Sequence, residues 1–176
     1  MLKLPVARRR CCAPAARARA IAFGDPRWHN RWMARVVARS SIAVQAPPER
    51  VLALLRDYRD GRPRILTDNY SDFRVLEGGS GEGTLIAYHF AAGGRERDYR
   101  LRVSESPGAI QEADELSSFV NTWAVSPSQG ASQVTVESSW NGAGGVGGIF
   151  EGLFAPIGLR RIQASLLRNL DRALSG

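Results

Sequence analysis

Gly142, Gly144 and Gly147 stand at the spacing G-x-G-x-x-G in NGAGGVGGIFEG, with the apolar VTVESSW before them and a helix-like run after. Such a turn can present backbone N–H groups at a helix N-terminus to a pyrophosphate. The chemistry needs a parallel βαβ unit, with a further strand after the helix whose acidic residue holds the ribose. Asp171 lies at about the right distance, but it sits inside the helical LLRNLDRAL, with no strand after it. No Gly-Lys-Ser/Thr completes a phosphate loop. The glycines therefore read as a pliable turn, or as the hinge of a lid in which Phe150 and Phe154 close over a cavity.

The other reactive side chains are sparse. His89 is the one histidine after residue 32, with no Ser/His/Asp or Cys/His set and no companion ligands for a metal. It reads as a residue on a sheet face or cavity rim. Glu112, Asp114 and Glu115 surround an expected turn and read as solvated. Arg95 and Arg97 share parity with Tyr99 at the start of one strand, where an inward arginine can bind a carboxylate; a solvated strand end is the plainer reading. Asn121 and Ser138 are polar positions on otherwise apolar strand faces. Buried there, each must find a partner or cost about 1 to 3 kcal/mol, and a ligand oxygen or a water could be that partner. No metal, nucleotide or other cofactor is expected.

Alternation and helical periodicity give the elements that position these groups. RVVARSSIAVQA is a strand with Val36, Ile42 and Val44 inward, and PPERVLALLRDY a helix begun by proline, with Val51, Leu54 and Leu55 as its apolar stripe. RILTDNY is a short helix or turn. YSDFRVLE and TLIAYHF form a hairpin about GGSGEG. In RERDYRLRVSES, Tyr99, Leu101 and Val103 occupy one face and Asp98, Arg100 and Arg102 the other. AIQEAD, ELSSFVNTWAV and SQVTVESSW complete about seven strands. The same parity puts Phe119, Asn121, Trp123 and Val125 on one face, and Val134, Val136, Ser138 and Trp140 on another. From GIFEG onward Ile149 to Leu170 recur at helical spacing, with a bend or break expected at Pro156 and Gly158. An antiparallel meander with one apolar face and one long striped helix is most simply closed by laying the helix across the sheet, giving an α+β fold.

Composition bounds the function. The chain has 176 residues, 44% of them hydrophobic, which suits one domain with a sizeable core. No apolar run reaches the roughly 18 residues of a membrane span. The formal charge of +7 resides wholly in residues 1–32, where eight basic residues face Asp25 alone; from Met33 on, 16 basic and 16 acidic residues cancel. A neutral body lacks the basic stripe that a nucleic-acid backbone requires. Residues 1–33 thus read as a basic leader outside the domain, either disordered or an extension upstream of the true start, with targeting-peptide and surface-anchor readings less well supported. Cys11 and Cys12 both lie in it, and a body without cysteine fits the cytoplasm.

IAVQAPPERVLALLRDY resembles the opening strand, Ala-Pro-x-x-Val and Asp-Tyr pattern of the START-like superfamily, in particular bacterial polyketide cyclase/dehydrase and lipid-transport-type proteins. RVLEGGSGEGT is similar to its Gly-x-Gly-Thr hairpin, and WAVSP with QVTVES to its penultimate strands. The resemblance covers about residues 35 to 175. It implies a helix-grip fold for 34–176: a curved antiparallel sheet of about seven strands around a long C-terminal helix, enclosing a cavity for an apolar or aromatic ligand or lipid. Tyr99, Leu101, Phe119, Asn121, Trp123, Val136, Ser138, Trp140, Phe150 and Phe154 are the expected lining. The expected function is binding without chemistry. The alternatives are an aromatase/cyclase-type enzyme using Tyr99, Asn121, Trp123 and Arg97, or an accessory protein of a redox enzyme. No catalytic residue can be transferred, and oligomeric state is not indicated.

Overall fold

The computed structural model describes residues 35–142 and 146–176, with backbone only for 146–155. Seven strands, β1 (Arg35–Val44), β2 (Tyr70–Glu77), β3 (Leu85–Ala92), β4 (Arg95–Ser106), β5 (Ala109–Asp114), β6 (Val120–Ser128) and β7 (Ala131–Asn141), are joined by two helices, α1 (Pro48–Arg56) and α2 (Val146–Ser175). They form one antiparallel sheet in the order β1-β7-β6-β5-β4-β3-β2. Consecutive strands pair throughout from β2 to β7. β1 alone crosses over, joining the far edge beside β7.

That crossover contains α1. Pro48 stands in its first turn, where a missing N–H costs nothing, and Glu49 complements the N-terminal dipole. Val51 and Leu55 are fully buried against the sheet, where α1 meets β6 and β7. RILTDNY resolves into the end of a 3-10 turn, Pro63–Ile65, and a second turn at Asp68 and Asn69, closed by the Tyr70 N–H donating to the Thr67 carbonyl. The β4–β5 hairpin turns through Gly108 at φ 72°, where a Cβ would come within 2.9 Å of the Val125 carbonyl oxygen; only glycine fits without displacing backbone.

α2 runs continuously from Val146 to Ser175 through Pro156 and Gly158, so of the bend or break expected there a break is excluded. Proline removes one main-chain hydrogen bond, and the neighbouring turns carry the helix past it. The helix packs against β1 and the 3-10 turn, burying Leu166, Leu167, Leu170 and Leu174. The glycine-rich turn at 143–145, and the side chains of Phe150 and Phe154, lie outside the described residues.

Candidate functional site

A cavity of about 1070 Å³ opens between the sheet and α2. Strand register builds its aromatic wall. Tyr88 on β3 is the direct cross-strand partner of Tyr99 on β4, and Tyr70 on β2 that of Phe90 on β3. The rings consequently form a belt: Tyr70 to Tyr88 at 5.1 Å, Tyr88 to Tyr99 at 5.5 Å, Tyr99 to Phe119 at 4.8 Å and Phe119 to Trp140 at 6.5 Å between centroids. Tilted and edge-on contacts of this kind add to the burial energy of each ring. Burial pushes the Tyr70, Tyr88 and Tyr99 phenols above their ordinary range, so near neutral pH they are protonated donors.

Below the belt lies a polar row, also set by register. Glu112 on β5 faces Asn121 on β6, Asn121 faces Ser138 on β7, and Ser138 faces Ala38 on β1. Gln163 of α2 reaches into this level. Its Nε2 donates to the Ala38 carbonyl at 3.1 Å and to Ser138 Oγ at 3.0 Å, while Ser40 donates to its Oε1 at 3.0 Å. The Ser138 hydroxyl donates to Asn121 Oδ1 at 2.8 Å, and Asn121 Nδ2 donates to Glu112 Oε2 at 2.8 Å. Because Glu112 accepts, the relay Gln163 to Ser138 to Asn121 to Glu112 donates one way, from α2 toward β5.

Glu112 is itself buried. Its Oε1 accepts from the Tyr58 hydroxyl at 2.9 Å and from Arg62, a residue only 3% exposed. The Arg62 guanidinium lies over the Trp123 ring at 4.5 Å and near the Tyr58 ring at 5.2 Å. The buried end of the sheet thus holds a paired charge whose cation lies against two rings, an arrangement in which the cation–π contacts offset part of the desolvation cost.

The expected lining residues divide accordingly. Tyr99, Phe119, Asn121, Val136, Ser138 and Trp140 border the cavity. Leu101 and Trp123 share their strand faces but lie two residues further along, sealed in the core at 0% and 2% exposure. Phe150 and Phe154 are outside the described side chains. Asn121 and Ser138 already have protein partners, so neither depends on a ligand or water for its first hydrogen bond. The solvated reading of Glu112 and Asp114 is also corrected: both share the parity of buried Ile110. Asp114 accepts from the Arg100 N–H and the Ser117 hydroxyl, pinning the loop that carries Phe119.

His89 lies between Tyr88 and Phe90 and so points to the opposite side of the sheet. Its Nδ1 is 2.8 Å from Asp98, whose hydrogen bond raises the imidazole above its ordinary value. Arg97 stands at the cavity rim, 5.2 Å over the Tyr99 ring and 3.5 Å from Asp114. Arg62 and Gln163 were not singled out from the sequence, and Glu112 was read there as solvated. Gln163 carried the clearest signal, a polar side chain in line with the apolar stripe Leu159, Ile162, Leu166 and Leu170. Among the described residues no group of three or more His, Cys, Asp or Glu could hold a metal ion, and no helix is long and apolar enough to cross a membrane.

The architecture is shared with known structures. A protein named KanY, solved in solution, is 42% identical over 82% of this chain and all of its own, with a TM-score of 0.75. A Thermus thermophilus protein is 19% identical, covering 78% of this chain and 96% of that one, with a TM-score of 0.65. A norcoclaurine synthase point mutant from Thalictrum flavum, in complex with a transition-state analogue, is 12% identical over 80% of this chain and 94% of its own, at 0.59. No curated protein matches the sequence. The model of the family described as polyketide cyclase / dehydrase and lipid transport matches residues 22–175, and the chain belongs to that family, an α+β helix-grip fold for hydrophobic ligands.

Proposed function

We propose that the protein binds a hydrophobic or aromatic small molecule, or a lipid, in the cavity between sheet and α2, and that it does so in the cytoplasm without chemistry of its own. The observation that carries this is the pairing of an aromatic belt with a polar row already satisfied by protein. A ligand that buries roughly 300 Å² of apolar surface there gains about 7 kcal/mol before the costs of association. The hydroxyl of Ser138 is committed to Asn121 and the amide of Asn121 to Glu112, so these groups form a fixed floor rather than a nucleophile or base. The binding domain comprises about residues 34–176, with 1–33 as a leader outside it.

The test uses Nile red, a neutral dye whose emission rises and shifts to the blue in apolar surroundings. The native chain is expected to bind it, and Leu159→Trp, which places an indole at the cavity wall, to abolish binding while the fold is kept. A folded native protein that leaves the dye emission unchanged would overturn the reading.

A further inference from the structure

The body of the chain is electrically neutral, yet its ion pairs are unevenly placed. Arg39, Arg56, Arg62, Arg97, Arg100 and Arg102 each meet a carboxylate. Five of these six lie on strands or on α1, where Glu77, Glu105, Asp114, Glu115 and Glu137 are the acids they use. Among the described residues, no ion pair involves the arginines of α2. The neutrality of the whole therefore hides a cationic helix face.

Arg161, Ser165, Arg168 and Arg172 follow one another at i, i+4, i+7 and i+11, which aligns them on one side of α2 over about 16 Å. They form one wall of a groove of about 440 Å³, with Thr67 and Asp68 opposite. Both walls are held. Asn169 Nδ2 donates to the Ile65 carbonyl at 3.1 Å and to that of Leu66 at 3.4 Å, fixing the loop to the helix, and Asn69 Nδ2 donates to the Ala91 carbonyl at 2.8 Å. Arg168 donates to Ser165 Oγ at 2.7 Å, which sets its guanidinium along the groove. Asp68 is the acid in the groove, and Asp171 flanks Arg172 on α2; neither forms an ion pair with these arginines. The separations are comparable to the Debye length of about 8 Å, so the three cations act on one occupant together.

Asn69, Arg161 and Ile162 border both the groove and the cavity, so the two spaces are neighbours across these residues. We infer that the groove holds the anionic head, a carboxylate or phosphate, of an amphiphile whose apolar body lies in the cavity. Arg168 and Arg172 grip the head, and Arg161 stands where head and body join. The inference rests on the ligand-binding reading above and narrows it: the natural ligand is an amphipathic anion, not a neutral hydrocarbon or sterol. Arginine suits this task because its planar fork of donors matches carboxylate and phosphate oxygens.

The test compares a dansyl-labelled undecanoic acid with its methyl ester, in the full-length native chain and in a double variant, Arg168→Ala with Arg172→Ala. The acid is expected to bind the native chain roughly five- to tenfold more tightly than the ester, the range that exposed charge pairs support. That ratio should fall toward one in the double variant and in high salt, with Nile red binding unchanged. Equal affinity for acid and ester in the native chain overturns the inference, as does a preference that survives the double variant. Inorganic phosphate and phosphatidylglycerol vesicles are run as separate arms. Phosphate that stabilises the native chain, or vesicles that sediment it, without any acid-over-ester preference identify a free-anion site or a membrane surface, and either result overturns the amphiphile assignment. If Nile red also fails to bind the native chain, the cavity reading itself has failed, an outcome distinct from loss of the head site alone.

Discussion

The helix-facing side of the sheet has two ends, and they are finished differently. Beneath α1, Leu55, Tyr58, Ile65, Leu101 and Ile110 are fully buried, and Arg62 with Glu112 is sealed among them. Under α2 the same strands, with the loop that enters β6, carry Tyr88, Tyr99, Phe119 and Trp140 around the cavity. The change takes one step of two residues: Leu101 to Tyr99 on β4, Trp123 to Asn121 on β6. One sheet thus supplies both a packed core, which carries the stability, and an open end, to which the proposed ligand binding is assigned. The polar row from Glu112 to Gln163 lies where the two meet.

Substitutions at the closed end should cost most. Replacing Glu112 by leucine strands the buried Arg62 cation and should destabilise the fold by about 3 to 5 kcal/mol in urea denaturation. Adding Arg62→Met to that variant should restore most of the loss; a double variant no more stable than the single one would show that the pair is not the cause. Leu101→Ala should cost about 2 to 5 kcal/mol. Phe119→Ala, across the boundary, should cost about 1 kcal/mol or less because a cavity already lies beside it, while Nile red affinity falls severalfold. Equal stability losses at Leu101 and Phe119 would erase the distinction between the ends. A chain beginning at Met33 should unfold at the same urea concentration as the full chain and bind the dye equally well.

The smallest effect belongs to the outer face. The Asp98 hydrogen bond holds the His89 pKa above 6.5, so its contribution is present below the unfolded value and fades as pH rises through the folded one. An NMR titration should place its midpoint above 6.5, and Asp98→Asn should bring it down. An unchanged midpoint in that variant would detach the shift from the carboxylate.

Much of the fold was legible because it depends on periodicity. Alternation in RERDYRLRVSES put Tyr99, Leu101 and Val103 on one face, and helical spacing found the stripe of α2. What parity could not supply is position along the strand. Tyr99 and Leu101 are indistinguishable by alternation, yet one borders a cavity and the other is sealed in the core cluster with Leu55, Tyr58 and Ile65. The polar row was hidden for a related reason. Glu112, Asn121, Ser138 and Gln163 are brought together by register and by the seat of α2, which no local spacing encodes. Glu112 was misread because an acid near an expected turn looks solvated, although its parity with Ile110 already argued for burial.

The one-way row of hydrogen bonds has a consequence for water. An amide or hydroxyl is a foothold for solvent only when it has a bond to spare, and here Gln163 Nε2 spends both its hydrogens on Ala38 and Ser138, while the Ser138 hydrogen goes to Asn121. The Gln163–Ser138 part of the floor therefore offers water few free donors, and the second N–H of the half-buried Asn121 is its main foothold. Water that occupies the cavity before a guest arrives is loosely held there, and its expulsion favours the guest at little enthalpic cost.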